Sequence, residues 1–192
     1  GSRMFYNISK GEYEVIPGTE SFIILDNFRT PEPVYQNKEA TLHDIGDGVL
    51  CLEFHSKMNA IGSGTLSAIN KSIDIAETQG WKGLVIGNAA PNFYARANLA
   101  MMLMLAIEQE FDELSMVIRY FQKTVMRLRY SAIPCVVAPH GLTLGGGCEL
   151  TLHADSAVAS AETYIGLVEA GAGLIPGGGG TKEFVLRTSD SF

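Results

Sequence analysis

From Thr41 onward, short apolar runs alternate with long amphipathic stretches, and that alternation limits the chain to a few architectures. Val49 to Phe54 reads as a strand after a Gly46-Asp47-Gly48 turn. Gly62 to Gln79 reads as a helix, with Leu66, Ile69, Ile73 and Ala76 on one face and Gly80 at its end. Gly83 to Ile86 is a short buried strand, and Asn92 to Ile107 begins as a loop and becomes helical. Phe111 to Arg129 is the clearest helix, because Leu114, Val117, Phe121, Val125 and Leu128 recur at three- and four-residue steps. Ile133 to Ala138 is the next strand. A helical stretch then runs from Gly145-Gly146-Gly147 to His153, and a short strand follows through Val158. A loop carries Glu169, and Gly177 to Gly180 lead into a last helix. Strands alternating with long helices need crossover connections, so the reading is α/β with a mostly parallel sheet.

The segment before Thr41 differs. Met4 to Lys38 mixes aromatic, charged and turn residues, with Pro31 and Pro33 in a polar stretch. Residues 1–38 are read as an appended Gly1-Ser2-Arg3 remnant followed by a linker or the tail of an upstream module, and 39–192 as the core domain. With 46% hydrophobic residues the chain can build a sizeable core. Its net charge of −7 argues against a broad nucleic-acid surface but leaves room for a local basic pocket for a phosphorylated ligand. Cys51, Cys135 and Cys148 make an odd count with no CxxC pair, so a reducing setting is expected, cytoplasmic or an organelle matrix. The longest apolar run, Leu99 to Ile107, is far short of a membrane span.

Several motifs fail. Gly177-Gly178-Gly179-Gly180-Thr181-Lys182 has the order Gly-Thr-Lys where a phosphate loop needs Gly-Lys-Ser/Thr. Gly171-Ala172-Gly173 would open a dinucleotide fingerprint, but Pro176 stands at the third glycine position. There is no Gly-x-Ser-x-Gly elbow and no HExxH. His43, His55, His140 and His153 are scattered without metal-ligand spacing and read as structural, and Cys148 reads as a small core residue.

One motif holds. Gly145-Gly146-Gly147-Cys148-Glu149-Leu150 follows a strand and opens a helix. The first turn of a helix has unpaired N–H groups and the positive end of the dipole, and glycines let a ligand approach that backbone. A Gly146 N–H is then placed to hold a developing oxyanion, with Glu149 three residues on, on the same side of the turn. The alternative is a Glu149 that merely caps the helix, and spacing alone leaves the two even.

The residues also carry a resemblance. Leu144 to Leu150 is similar to the most characteristic stretch of the crotonase superfamily, the enoyl-CoA hydratases and isomerases. Tyr164-Ile165-Gly166-Leu167-Val168-Glu169 and Leu174 to Thr181 resemble its second active-site segment, Lys57-Met58-Asn59-Ala60-Ile61 its first CoA-binding turn, and Phe93 to Leu99 the loop giving the other oxyanion donor. The resemblance spans about residues 41 to 188 and implies a crotonase-like superhelix of repeated ββα turns, usually assembled into trimers. It implies oxyanion N–H groups from Ala97 and Gly146, and Glu149 and Glu169 as the acid/base pair of a hydratase. Gly177 would line the acyl site, and Lys57, Met58, Ala60, Ala95, Arg96 and Asn98 would fall where the family contacts CoA. It implies an acyl-CoA substrate, with no metal and no cofactor beyond the CoA of that substrate.

There are departures from the family pattern. Arg96 stands where glycine is usual, so either the loop is distorted or the guanidinium reaches a CoA phosphate. Val168 replaces a frequent proline. The family continues for several helices beyond the position of Phe192, covering the CoA site and building the oligomer, so a segment cut there is expected to fold without turning over. The residues before 40 resemble the junction in bacterial fatty-acid oxidation proteins that join a 3-hydroxyacyl-CoA dehydrogenase to a crotonase module, a homo-oligomer or part of a multifunctional β-oxidation complex. The rival readings are a Δ3,Δ2-enoyl-CoA isomerase, which needs one base, and a non-catalytic acyl-CoA-binding or assembly module.

Overall fold

The computed structural model describes residues 4–18, 23–56, 61–94 and 99–189. The chain divides between Pro31 and Glu32 into two units. In the first, β1 (Met4–Asn7) and β2 (Glu12–Val15) form an antiparallel hairpin in which the Tyr6 and Tyr13 rings meet edge-on at 5.2 Å. Asn7 Nδ2 donates to Glu14 across the hairpin at 2.8 Å, and a single 3-10 turn follows at Leu25–Phe28.

The second unit is a mixed sheet with helices against it. Its elements are β3 (Tyr35–Gln36), β4 (Ala40–Asp44), β5 (Val49–Phe54), α1 (Ser63–Thr78), β6 (Gly83–Gly87), α2 (Leu99–Ile107), α3 (Phe111–Arg129), β7 (Cys135–Val137), β8 (Leu142–Leu144), α4 (Gly146–His153), β9 (Ser156–Ala157), β10 (Tyr164–Gly166) and α5 (Gly180–Ser189). The main sheet runs β3-β4-β5-β6-β7-β9. Its β3–β4 and β4–β5 pairs are antiparallel and the others parallel, as the crossovers through α1 and α3 require. Tyr35 and Gln36, within the segment read above as linker, pair with Leu42 and Thr41.

Period-two alternation decides the faces of this sheet. Ala40, Leu42, Leu50, Leu52 and Phe54 pack with Leu84 and Ile86 into one core with Leu66, Ile69, Ile73 and Ala76 of α1 and Val125 and Leu128 of α3. The opposite face carries buried polar groups, where His43 Nε2 lies 3.0 Å from Glu53 Oε2 and Thr41 Oγ1 2.9 Å from His55 Nε2. Helix α1 has no cap from its own Gly62. Glu39, in the turn before β4, accepts instead from Thr65 N at 2.7 Å and Thr65 Oγ1 at 3.0 Å. Arg127 of α3 forks onto Glu77 of α1, fixing the crossing of the two helices.

Helix α3 corrects one detail of the periodic reading. Only Thr124, Val125 and Leu128 are fully buried, while Val117 is exposed and Ile118 half-buried, so only its C-terminal half lies in the core. The second sheet was not anticipated at all. Strands β8 and β10 pair in parallel, Tyr164 to Leu142 and Gly166 to Leu144, and Tyr94 joins β8 through a single bridge at Thr143. Three-residue strands are too short to show a period.

Candidate active site

The small sheet ends where the glycine-rich turn begins. Gly145 follows β8 with φ 54° and ψ −118°, a left-handed backbone that side chains disfavour, and its N–H donates to Gly166 O at the end of β10 at 2.9 Å. The two strands therefore deliver two segments to one place: the α4 N-terminus from β8, and the Glu169–Ala172 turn from β10. A Cβ at Gly145 would lie 3.0 Å from Glu169 Oε1, so the carboxylate of Glu169 rests against that glycine.

Glu149, in the first turn of α4, is 2% exposed. It does not cap its own helix; Oε1 instead accepts from Gly178 N at 2.8 Å and Gly180 N at 2.9 Å, at the start of α5. A Cβ at Gly178 would stand 2.5 Å from Glu149 Oε2, which explains a glycine there. Burial pushes the Glu149 carboxyl above the ordinary carboxylate range, the Gly180 and Gly178 N–H groups pull the other way, and the charge of Glu169 adds to the rise. The Glu149 carboxyl thus feels the charge of Glu169 across the turn. Glu169 is half-buried, and its Oε2 is shielded from solvent and meets no donor among the described residues.

Tyr94 completes the chamber and was not singled out from sequence. It is 4% exposed, and its hydroxyl stands 3.6 Å from where a Cβ of Gly146 would be. Burial, then Glu149, then Glu169 push the phenol up, so it stays protonated. Nothing in the local pattern around Phe93-Tyr94 marks it, because its role depends on a bridge to Thr143 about fifty residues on. Cys148 is fully buried with its thiol pushed up to about 12 by burial, then Glu149 and Glu169, the behaviour of a packing residue.

The expected residues divide into two groups. Gly146, Glu149 and Glu169 come together around the Gly145 turn, and Gly177 lies next to the Gly178 amide that holds Glu149. Gly177 is itself fixed by Gln122 of α3, whose Nε2 donates to its carbonyl at 2.6 Å. Lys57, Met58, Ala60, Ala95, Arg96, Ala97 and Asn98 lie outside the described residues. The four histidines are each held by a neighbour: His43 by Glu53, His55 by Thr41, His140 by the Ala90 carbonyl and His153 by the Glu149 carbonyl. No group of three or more His, Cys, Asp and Glu able to hold a metal occurs among the described residues, and no described helix is long and apolar enough to cross a membrane.

The sequence profile of the enoyl-CoA hydratase/isomerase family matches residues 44–189. The chain belongs to that family. A Bacillus subtilis protein described as "Probable 3-hydroxyacyl-CoA dehydrogenase" is 46% identical over 188 residues, covering 97% of this chain and 23% of its own length. A Rickettsia felis protein, whose name reads fatty acid oxidation complex trifunctional enzyme, is 32% identical over 177 residues, 92% of this chain and 24% of its own. The hydratase/isomerase-family chain thus spans about a quarter of the length of these relatives. A crystal structure of an enoyl-CoA hydratase from Polaromonas sp. JS666 superposes with a TM-score of 0.70 at 23% identity, over 75% of this chain and 56% of that one. The crotonase fold is therefore the fold of residues 44–189, and the glycine turn with its two glutamates lies inside the matched region.

Proposed function

We propose that this domain hydrates 2-enoyl-CoA thioesters, with Glu149 and Glu169 dividing the acid and base roles. The observation that carries the reading is the pair itself: two carboxylates at one glycine turn, one of them buried with its ionisation disfavoured by burial and by the charge of the other. Hydration adds the oxygen of water to C3 and a proton to C2 while negative charge builds on the thioester oxygen. One carboxylate takes a proton from the water, and the other, protonated, delivers one to C2. The balance is water plus alkene to alcohol, so no redox group or metal enters it, and CoA arrives as part of the substrate. The N–H groups of Gly146 and Ala97 are assigned to the developing oxyanion, each worth about 3–4 kcal/mol of barrier.

The remaining assignments rest on the family resemblance. Lys57, Met58, Ala60, Ala95 and Asn98 face CoA, Arg96 pairs with a CoA phosphate, and Gly177 lines the acyl site. The names of the two relatives support a place in fatty-acid oxidation, within a longer polypeptide that also carries a 3-hydroxyacyl-CoA dehydrogenase; three unpaired cysteines support a reducing, cytoplasmic setting.

The test is the loss of enoyl-thioester absorbance from crotonyl-CoA with the full-length protein, alongside a 3-enoyl-CoA. Hydration faster than isomerisation is the predicted result. Isomerisation without hydration would make the domain a Δ3,Δ2-isomerase, and acyl-CoA binding without either reaction would make it a binding module.

A further inference from the structure

Behind Glu149 lies a second buried charge cluster that the proposed chemistry does not use. Glu183, in the first turn of α5, is fully buried, and two cations and an imidazole face it from three helices. Arg129 of α3 donates from Nη1 to Oε2, Lys182 of α5 sits 2.8 Å from Oε1, and His153 of α4 places Nε2 3.5 Å from Oε1, longer than a hydrogen bond. Burial alone would raise the Glu183 carboxyl, but Lys182 and Arg129 outweigh it and hold it below the ordinary range, so it is ionised. On its other side His153 Nδ1 lies 2.7 Å from the backbone carbonyl of Glu149. A carbonyl only accepts, so Nδ1 carries the proton; burial lowers the His153 pKa, so the ring is neutral and its Nε2 has no proton to give Glu183.

The route from Glu183 to Glu149 is therefore α5 itself: Glu183 N donates to Gly179 O at 3.1 Å, and the flanking Gly178 and Gly180 N–H groups are those that hold Glu149 Oε1. We propose that Glu183, clamped by Arg129, is a positioning residue that locks the first turn of α5 against α3, so that the Gly178 and Gly180 N–H groups stay aimed at the Glu149 carboxylate. The proposal deepens the assignment of Glu149 and rests on it for its catalytic consequence. The geometric part stands without it. The other ionisable groups facing Glu149 are Glu169, Tyr94 and Cys148, none of which touches the cluster in any recorded contact.

Loosening those two donors removes the interactions that favour ionised Glu149, so its pKa rises. The experiment titrates Glu149 directly in the full-length protein, by carboxyl carbon-13 NMR with the resonance assigned through its loss in Glu149→Gln. Glu183→Gln is expected to move that midpoint upward by about half a pH unit or more. In the hydration assay it is expected to cut kcat by about tenfold with KM for the enoyl-CoA within about twofold, and to shift the acid limb of the kcat profile upward. Glu183→Asp is expected to recover part of both. A Glu183→Gln protein with lowered thermal stability but an unmoved Glu149 midpoint overturns the proposal. Should Glu183→Gln not fold, Arg129→Gln removes the guanidinium clamp alone and is expected to move the midpoint in the same direction; an unmoved midpoint there overturns it equally. Because the titration needs no turnover, a wild-type protein that fails to hydrate would count against the proposed function and not against the clamp.

Discussion

The main sheet and the glycine-lined chamber are built on opposite terms. In the sheet, Leu50, Leu52 and Leu84 are wholly enclosed by apolar neighbours and their backbones are paired on both sides. In the chamber, two carboxylates and a phenol share buried space around a glycine with positive φ, and Glu169 Oε2 meets no donor among the described residues. Apolar burial stabilises the sheet, whereas burying a carboxylate costs free energy unless donors compensate. The contrast teaches that the sheet holds the chamber in an arrangement it would not keep unaided, and that burial there disfavours the ionised form of Glu149, the direction an acid catalyst needs.

The largest expected effect lies in the sheet. Leu84→Ala, at a position 1% exposed and flanked by Leu50 and Cys135, should lower stability by about 2–5 kcal/mol in chemical unfolding while leaving kcat of the folded protein unchanged. A loss under ~1 kcal/mol would blur the contrast from the stability side. Glu149→Gln should do the reverse. Hydration should fall at least ~100-fold, about 2.7 kcal/mol of barrier, with no loss of stability at neutral pH. Near-normal turnover would reduce Glu149 to a brace for the start of α5.

Gly145→Ala touches both regions. It forces a side chain into a left-handed backbone and puts a Cβ 3.0 Å from Glu169 Oε1. A loss of about 1–3 kcal/mol is expected by thermal unfolding, together with slower hydration. An unchanged melting temperature would show that the turn relaxes freely. The smallest effect is a pH trend. The folded pKa of Glu149 is raised, so its contribution to stability is fully present below the ordinary carboxylate pKa and is lost as pH rises through the folded value. Glu149→Gln escapes that loss, so the melting temperature of the variant minus that of the wild type should grow from pH 5 to pH 8. A difference that shrinks would mean the Gly178 and Gly180 donors outweigh burial.

The same contrast governs what could be read from the sequence. Val49–Phe54 and Phe111–Arg129 are observed with the bounds read from their patterns, because burial against a single core imposes a period on contiguous residues. The Gly145–Leu150 stretch was legible as a strand-to-helix turn carrying Glu149, since all of it sits within about one helical turn. The rest of the chamber depends on distant pairing. Tyr94 enters it through a bridge to Thr143, and Glu169 through the β8–β10 pair. The grip on Glu149 comes from Gly178 and Gly180, about thirty residues away and without side chains to mark them. Glu183 reads in sequence as an ordinary charged residue of a helix, and its burial becomes visible only when α3 and α4 bring Arg129 and His153 to it.

The account turns on two carboxylates rather than one, and Glu169→Gln tests that most directly. The substitution leaves Glu149 with its Gly178 and Gly180 donors, so a one-base reaction remains available. With the full-length protein, hydration of crotonyl-CoA and isomerisation of a 3-enoyl-CoA are followed side by side. The account predicts hydration reduced at least ~100-fold with residual isomerisation through Glu149. Hydration of crotonyl-CoA at the wild-type rate by Glu169→Gln would contradict it.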